Sequence, residues 1–181
     1  MAGDKQTRGG QHIALIGYRG TGKSTVGRLL ADQLSLPFYD LDAEAERIAG
    51  TTIEAIFAEQ GEAAFRDVEC DTLAQTMAKP PAVLATGGGI VLRDENRDRL
   101  RGATVVWLQA SVETIVARVT ADTDNDRPAL TRRSLRDEVS HVLAERTPLY
   151  QDVANDAIDT EYLNSPAAVA NEIARRLMGA A

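Results

Sequence analysis

A single cysteine, Cys70, stands among 181 residues, so no intrachain disulfide can form. That suits a reducing compartment and gives a cytoplasmic expectation. Cys70 lies in a helix-like stretch and reads as a packing residue rather than a nucleophile. No apolar run approaches the roughly 20 residues that cross a bilayer, so no membrane partner is expected. The first eleven residues hold no apolar core; a secretory signal is not expected there, and residues 1–10 read as a disordered tail. Positive charge is in deficit, with 20 Lys and Arg against 27 Asp and Glu and a net charge of −7. Such a balance argues against a nucleic-acid partner held by bulk electrostatics. An anionic ligand would need arginines placed one by one. Internal repeats, low-complexity tracts, linkers and coiled-coil heptads are also missing, so residues 11–181 read as a single domain and a monomer.

What is present is an alternation of short apolar runs with longer amphipathic ones. Five runs read as strands: His12–Ile16, Pro37–Tyr39 ending at Asp40, Ala82–Ala85, Thr104–Leu108 and Ala157–Asp159. Between them, Lys23–Leu34 shows a helical apolar face at Val26, Leu29, Leu30 and Leu34. Thr51 and Glu54 have capping-box spacing ahead of a helix that Gly61 can stop, and a second helix runs from about Glu62 to Ala78 before Pro80 and Pro81. Ser111, Ser134 and the pair Ser165-Pro166 each read as a helix start, the helix after Ser134 reaching roughly Val153. Strands alternating with helices imply right-handed crossovers: a three-layer α/β fold of about five parallel strands with helices on both faces. Ligands of such sheets collect at the carboxyl ends of the strands. A glycine-rich turn at Gly17, Asp40 and the triplet Gly87-Gly88-Gly89 all follow strands directly, and so point at one crevice.

The segment Gly17-Tyr18-Arg19-Gly20-Thr21-Gly22-Lys23-Ser24 matches G-x-x-x-x-G-K-[ST] at every fixed position, between a strand and a helix. Glycines let successive N–H groups face one anion, and the helix adds its positive end. The motif is that of a P-loop for ATP with Mg²⁺, in which Lys23 reaches the β- and γ-phosphates and Ser24 ligates the metal. Asp40 and Asp42 offer one carboxylate near the metal and one near an acceptor hydroxyl, as phosphoryl transfer to an alcohol requires. Alternatively, one of them caps a helix beginning near Ala43.

In register, Gly17–Thr25, Asp40-Leu41-Asp42, Phe65-Arg66, Gly87-Gly88-Gly89, Arg127-Pro128 and Arg146-Thr147-Pro148-Leu149-Tyr150 give a chain that resembles the shikimate kinases, P-loop enzymes that phosphorylate the 3-hydroxyl of shikimate in aromatic amino-acid biosynthesis. The resemblance implies shikimate and ATP as substrates and Mg²⁺ as cofactor. It implies ATP binding by Gly20, Thr21, Gly22, Lys23, Ser24, Thr25, Arg118 and Arg127, with Asp40 reaching the metal through water beside Ser24. It makes Asp42 the base or orienting group, and Lys23 and Arg127 catalytic. Arg66 and Arg146 would hold the shikimate carboxylate with Gly87, Gly88 and Gly89 close by, and Phe57 and Phe65 would wall the pocket. Acceptor-binding helices would span about 43–78, and a mobile lid about 120–133 would bring Arg127 to the γ-phosphate.

Other readings stay open for several of these residues. Phe57 and Phe65 could be plain core. Arg66 could pair with Glu62 or Glu69, Arg146 with Asp137 or Glu138, and Arg118 could be a solvated helix end. Where the family often carries an arginine near adenine, this chain has Glu161-Tyr162-Leu163-Asn164. Two rival functions remain: a gluconate kinase or other P-loop small-molecule kinase, and a nucleotide-binding module without catalysis.

Overall fold

The structure, a computed structural model, describes residues 11–121, 134–163 and 165–179. Five parallel strands form one sheet: β1 (Ile13–Ile16), β2 (Phe38–Asp40), β3 (Val83–Ala85), β4 (Thr104–Gln109) and β5 (Asp156–Asp159), in the order β2-β3-β1-β4-β5. Strand β1 is central, with Ile13–Leu15 beside Val83–Ala85 and Ile13–Ile16 beside Thr104–Trp107.

The period of two along each strand splits the core into two layers. Ala14, Ile16, Leu84, Val105 and Trp107 face one side, where they pack with Leu41, Leu73, Leu100 and Tyr150. These come from α2 (Leu41–Ala49), α3 (Ile53–Met77), α4 (Asp94–Leu100) and α6 (Leu135–Val153). Ile13, Leu15, Val83, Val106 and Leu108 face the other side, covered by α1 (Lys23–Leu34) and α7 (Pro166–Gly179) through Val26, Leu30, Val169 and Ile173. The remaining helix, α5 (Val112–Ala121), packs through Ile115 against Tyr18 and against Val139 and Val142 of α6.

The strands and most helix limits agree with the sequence pattern to within a residue. Ser111 Oγ accepts from Thr114 N, Ser134 Oγ from Asp137 N and Ser165 Oγ from Ala168 N, so all three expected caps form. Two details differ. The cap of α3 is Thr52, not Thr51: its hydroxyl accepts from Ala55 N at 3.1 Å, while the expected partner position at Glu54 stands one residue out of register. Helix α2 begins at Leu41 rather than near Ala43, because Asp40 Oδ1 accepts from Asp42 N at 3.1 Å. The capping carboxylate is therefore Asp40. Gly61 sits at φ +83°, ψ 177°, and breaks α3 into two arms, as its position between the two expected helices required. The turn of 3-10 helix at Ile90–Leu92 and helix α4 have no counterpart among the sequence expectations.

Candidate active site

The P-loop takes its shape from its glycines and from three side-chain donors, Thr21, Lys23 and Ser24. Gly17, Gly20 and Gly22 all have positive φ, and Gly22, at φ 92°, is the residue from which α1 starts. At Gly17 a Cβ would also collide with the carbonyl oxygen of Leu108 on β4, so this turn lies flat on the neighbouring strand end. Thr21 Oγ1 closes the loop by donating to Tyr18 O at 2.8 Å. Lys23 is buried, and its Nζ donates to Gly17 O and Tyr18 O at 2.8 Å each. Ser24 Oγ donates to Asp40 Oδ2 at 2.6 Å, which ties the first turn of α1 to the end of β2.

Two cavities flank this loop. The first, of about 510 Å³, is bordered by Gly20, Gly22, Thr25, Arg118, Thr160 and Glu161. Arg118 is not a solvated helix end: its Nη1 donates to Gly20 O at 3.3 Å and to Thr160 Oγ1 at 3.1 Å, linking the loop to the end of β5. Glu161 anchors the start of α5 from which Arg118 extends. Its Oε1 accepts from Ser111 N at 2.9 Å and from Ser111 Oγ at 2.6 Å, and the Ser111 and Thr114 hydroxyls hold its carboxyl down at about 2.

The second cavity, of about 380 Å³, gathers Asp42, Phe57, Phe65, Arg66, Gly87–Gly89 and Arg146, together with Tyr18, Arg19 and Glu69. Phe57 and Phe65 stack with ring centroids 4.8 Å apart. Phe65 lines this cavity and also belongs to a small core with Ile53 and Ile56. Arg66 makes both of the pairs that the sequence left open: Nη1 to Glu69 Oε2 at 2.9 Å and Nη2 to Glu62 Oε1 at 3.0 Å. Burial opposes its charge, but Glu69 and Glu62 outweigh that and hold the guanidinium above its usual range. Arg146 forms no ion pair among the described residues; Glu138, one of its suggested partners, pairs instead with Arg19 at 3.3 Å.

The glycine triplet is explained by close approach, not by φ, since none of the three has a positive value. A Cβ at Gly87 would come within 2.8 Å of Asp42 Oδ1 and 3.0 Å of Glu69 Oε1, and one at Gly89 within 2.7 Å of Arg66 Cζ. The chain behind β3 thus runs directly against the carboxylate and guanidinium of the cavity. Gly88 O is held by Tyr150 Oη at 2.6 Å. Burial pushes that phenol up to about 12, with Arg146 opposing, so it stays a donor throughout the physiological range.

Glu69 is the residue of this cavity that the sequence named only as a partner for Arg66. It is 5% exposed, burial pushes its carboxyl up against the pull of Arg66, and its Oε1 has no hydrogen-bond partner among the described residues. Arg19, an unspecified position of the loop motif, was not singled out at all. Of the expected lid, about 120–133, Thr120 and Ala121 end helix α5, and the rest, Arg127 included, lies outside the described residues.

What the arrangement can do chemically is hold a polyphosphate on one side of Lys23 and Ser24 and a small hydroxylated anion on the other. The family model for shikimate kinase matches residues 19–178 of the chain. A shikimate kinase of Rhodopirellula baltica is 45% identical over 157 residues, covering 85% of this chain and 84% of its own. Among solved structures, shikimate kinase from Acinetobacter baumannii in complex with shikimate is similar, with a TM-score of 0.85, 37% identity and 93% of each chain covered. A gluconokinase from Sinorhizobium meliloti, at 18% identity and a TM-score of 0.53, shares the fold alone. The chain belongs to the shikimate kinase family.

Proposed function

We propose that the chain transfers the γ-phosphoryl group of ATP to the 3-hydroxyl of shikimate, giving shikimate 3-phosphate and ADP for aromatic amino-acid biosynthesis. The observation that carries this reading is the pair of cavities on either side of one P-loop, at the carboxyl ends of the strands, the second of them lined by the guanidinium groups of Arg19, Arg66 and Arg146 and the carboxylates of Asp42, Glu54 and Glu69. ATP lies along the first cavity, its phosphates on the N–H groups of Gly20–Thr25 and on Lys23, with Arg118 at the nucleotide end. Shikimate lies in the second. Arg66 and Arg146 take its carboxylate, a planar fork being matched to that group. Asp42 orients the hydroxyls and receives the proton of the attacking one. Phe57 and Phe65 wall the ring, and the glycine triplet lets the chain come close.

Mg²⁺ fits the polar groups beside the loop. Ser24 Oγ and Asp40 Oδ2 are two hard oxygen donors 2.6 Å apart, and no described group of three or more His, Cys, Asp or Glu forms a closed metal cage. A cation that keeps most of its waters and the substrate phosphates needs no more than this. When bound, it neutralises charge on the β- and γ-phosphates. Ser24 would be a direct ligand and Asp40 would hold its water. The chain acts in this reading as a single-domain monomer over residues 11–181. No described helix is long and apolar enough to cross a membrane, and the free Cys70 suits the cytoplasm.

The test is a steady-state ADP assay with shikimate, quinate and gluconate supplied one at a time. ADP should form with shikimate and hardly at all with the other two. Equal release with gluconate, or none with shikimate, would overturn the assignment.

A further inference from the structure

One residue of the P-loop turns away from the phosphate side. Arg19 borders the acceptor cavity, and its Nη2 donates to Glu138 Oε1 at 3.3 Å. Glu138 belongs to the first turns of α6, and its side chain has 0% exposure. A carboxylate taken that far from water is destabilising unless it is well compensated. Here compensation is one-pronged. Glu138 Oε2 and Arg19 Nε are both buried without a hydrogen-bond partner among the described residues.

Cohesion between loop and helix does not require this pair. Tyr18 already packs against Val139 and Val142 of α6, an apolar contact that desolvates no charge. What the ion pair adds is direction: it sets the register of the Tyr18-Arg19 turn along α6. Farther along the same helix, Arg146 reaches the acceptor cavity. Glu138, Val142 and Arg146 recur at four-residue spacing and share one stripe. Lys23 Nζ is bonded into the same turn at Tyr18 O. Donor loop and acceptor-holding helix are therefore joined at one buried contact.

We propose that Glu138, acting through Arg19, is a positioning residue for phosphoryl transfer: the pair fixes the separation between the phosphate carried by the P-loop and the acceptor held by Arg146. The inference rests on the functional reading above. Its consequence is kinetic, because a displacement of about 1 Å between reacting groups can cost on the order of 10²-fold in rate.

The experiment compares wild type with Arg19→Met, Glu138→Gln, the double variant and Arg19→Lys, measuring kcat, the KM of each substrate, ATP affinity without acceptor, and the thermal midpoint. Both single substitutions keep the bulk of the side chain, and the midpoint checks that each variant is folded. Each should lower kcat by about tenfold or more while ATP affinity changes less than about twofold. The double variant should be no slower than the slower single one, since the two residues act as one unit. Arg19→Lys should recover part of the rate. An unchanged kcat with only a lower midpoint would make the pair structural. A raised shikimate KM at full kcat in Arg19→Met would make Arg19 a direct acceptor ligand instead. Either result overturns the inference and leaves the functional reading intact, whereas a wild type without shikimate-dependent ADP release overturns both.

Discussion

The two cavities are made in opposite ways. The nucleotide side rests on eight consecutive residues, Gly17–Ser24, which contribute backbone N–H groups, three positive-φ glycines, one helix end and the side chains of Lys23 and Ser24. The acceptor side has no such core. Asp42, Arg66, Gly87–Gly89 and Arg146 come from α2, the second arm of α3, the turn after β3 and α6, and they meet only when the sheet has formed. Its working groups are side-chain charges, and much of that charge is already neutralised inside the protein, Arg66 by Glu62 and Glu69, Arg19 by Glu138. A backbone site binds any polyphosphate of the right shape. A site of paired side chains must give up or share partners to accept a ligand, which is where selectivity between acceptors can arise.

Substitutions that fall on one side only should separate the two kinds of site. Lys23→Ala removes the only side-chain cation that the loop motif itself prescribes for the phosphates. It should lower kcat by about 10³-fold, the scale of losing a principal electrostatic stabiliser, with the steady-state ADP assay as readout. Asp42→Asn should lower kcat by roughly 10²-fold or more, as loss of a base does, while ATP affinity by titration stays within about twofold. Loss of ATP binding in that variant would move Asp42 to the nucleotide side and erase the distinction. Arg66→Ala should raise the KM for shikimate by about 10- to 100-fold, the equivalent of one charge-assisted hydrogen bond, with ATP affinity unchanged. An unaltered shikimate KM would assign Arg66 to its two glutamates alone.

The smallest effect concerns Glu69. Burial raises its carboxyl above the usual value of 4.5, so between that value and its raised one the folded chain holds a proton that the unfolded chain has released. Stability from this group is complete below the unfolded value and is lost as pH rises through the folded one. Glu69→Gln should therefore flatten the fall in stability just above pH 4.5, read from urea midpoints at a series of pH values. A slope identical to wild type would show that another group titrates there.

The same contrast governs what was legible from the amino acids alone. The phosphate loop could be read from its own letters because its chemistry is local, and the alternation of apolar runs was enough for a parallel sheet. Helix α4 went unread because a seven-residue helix with five charged residues carries almost no apolar period. Thr52 rather than Thr51 caps α3, a one-residue choice between like side chains that depends on where the chain leaves α2. For Asp40 and Asp42, sequence left the capping role undivided. The bond from Asp42 N to Asp40 Oδ1 divides it, leaving Asp42 to the cavity. Glu69 and Arg19 show the limit most clearly. A glutamate in a polar helix and an arginine at an unspecified motif position look solvated until the fold buries one and turns the other toward α6.

Tyr150 has a use beyond holding Gly88. Its ring lies 5.6 Å from that of Trp107, the one tryptophan in the chain, which is itself only 7% exposed. A single indole thus sits two contacts from the glycine triplet, through the Tyr150 Oη bond to Gly88 O. The molecule carries a built-in optical reporter: a ligand that shifts the triplet should perturb the emission of Trp107, and an unchanged emission on filling the cavity would show that the triplet does not move.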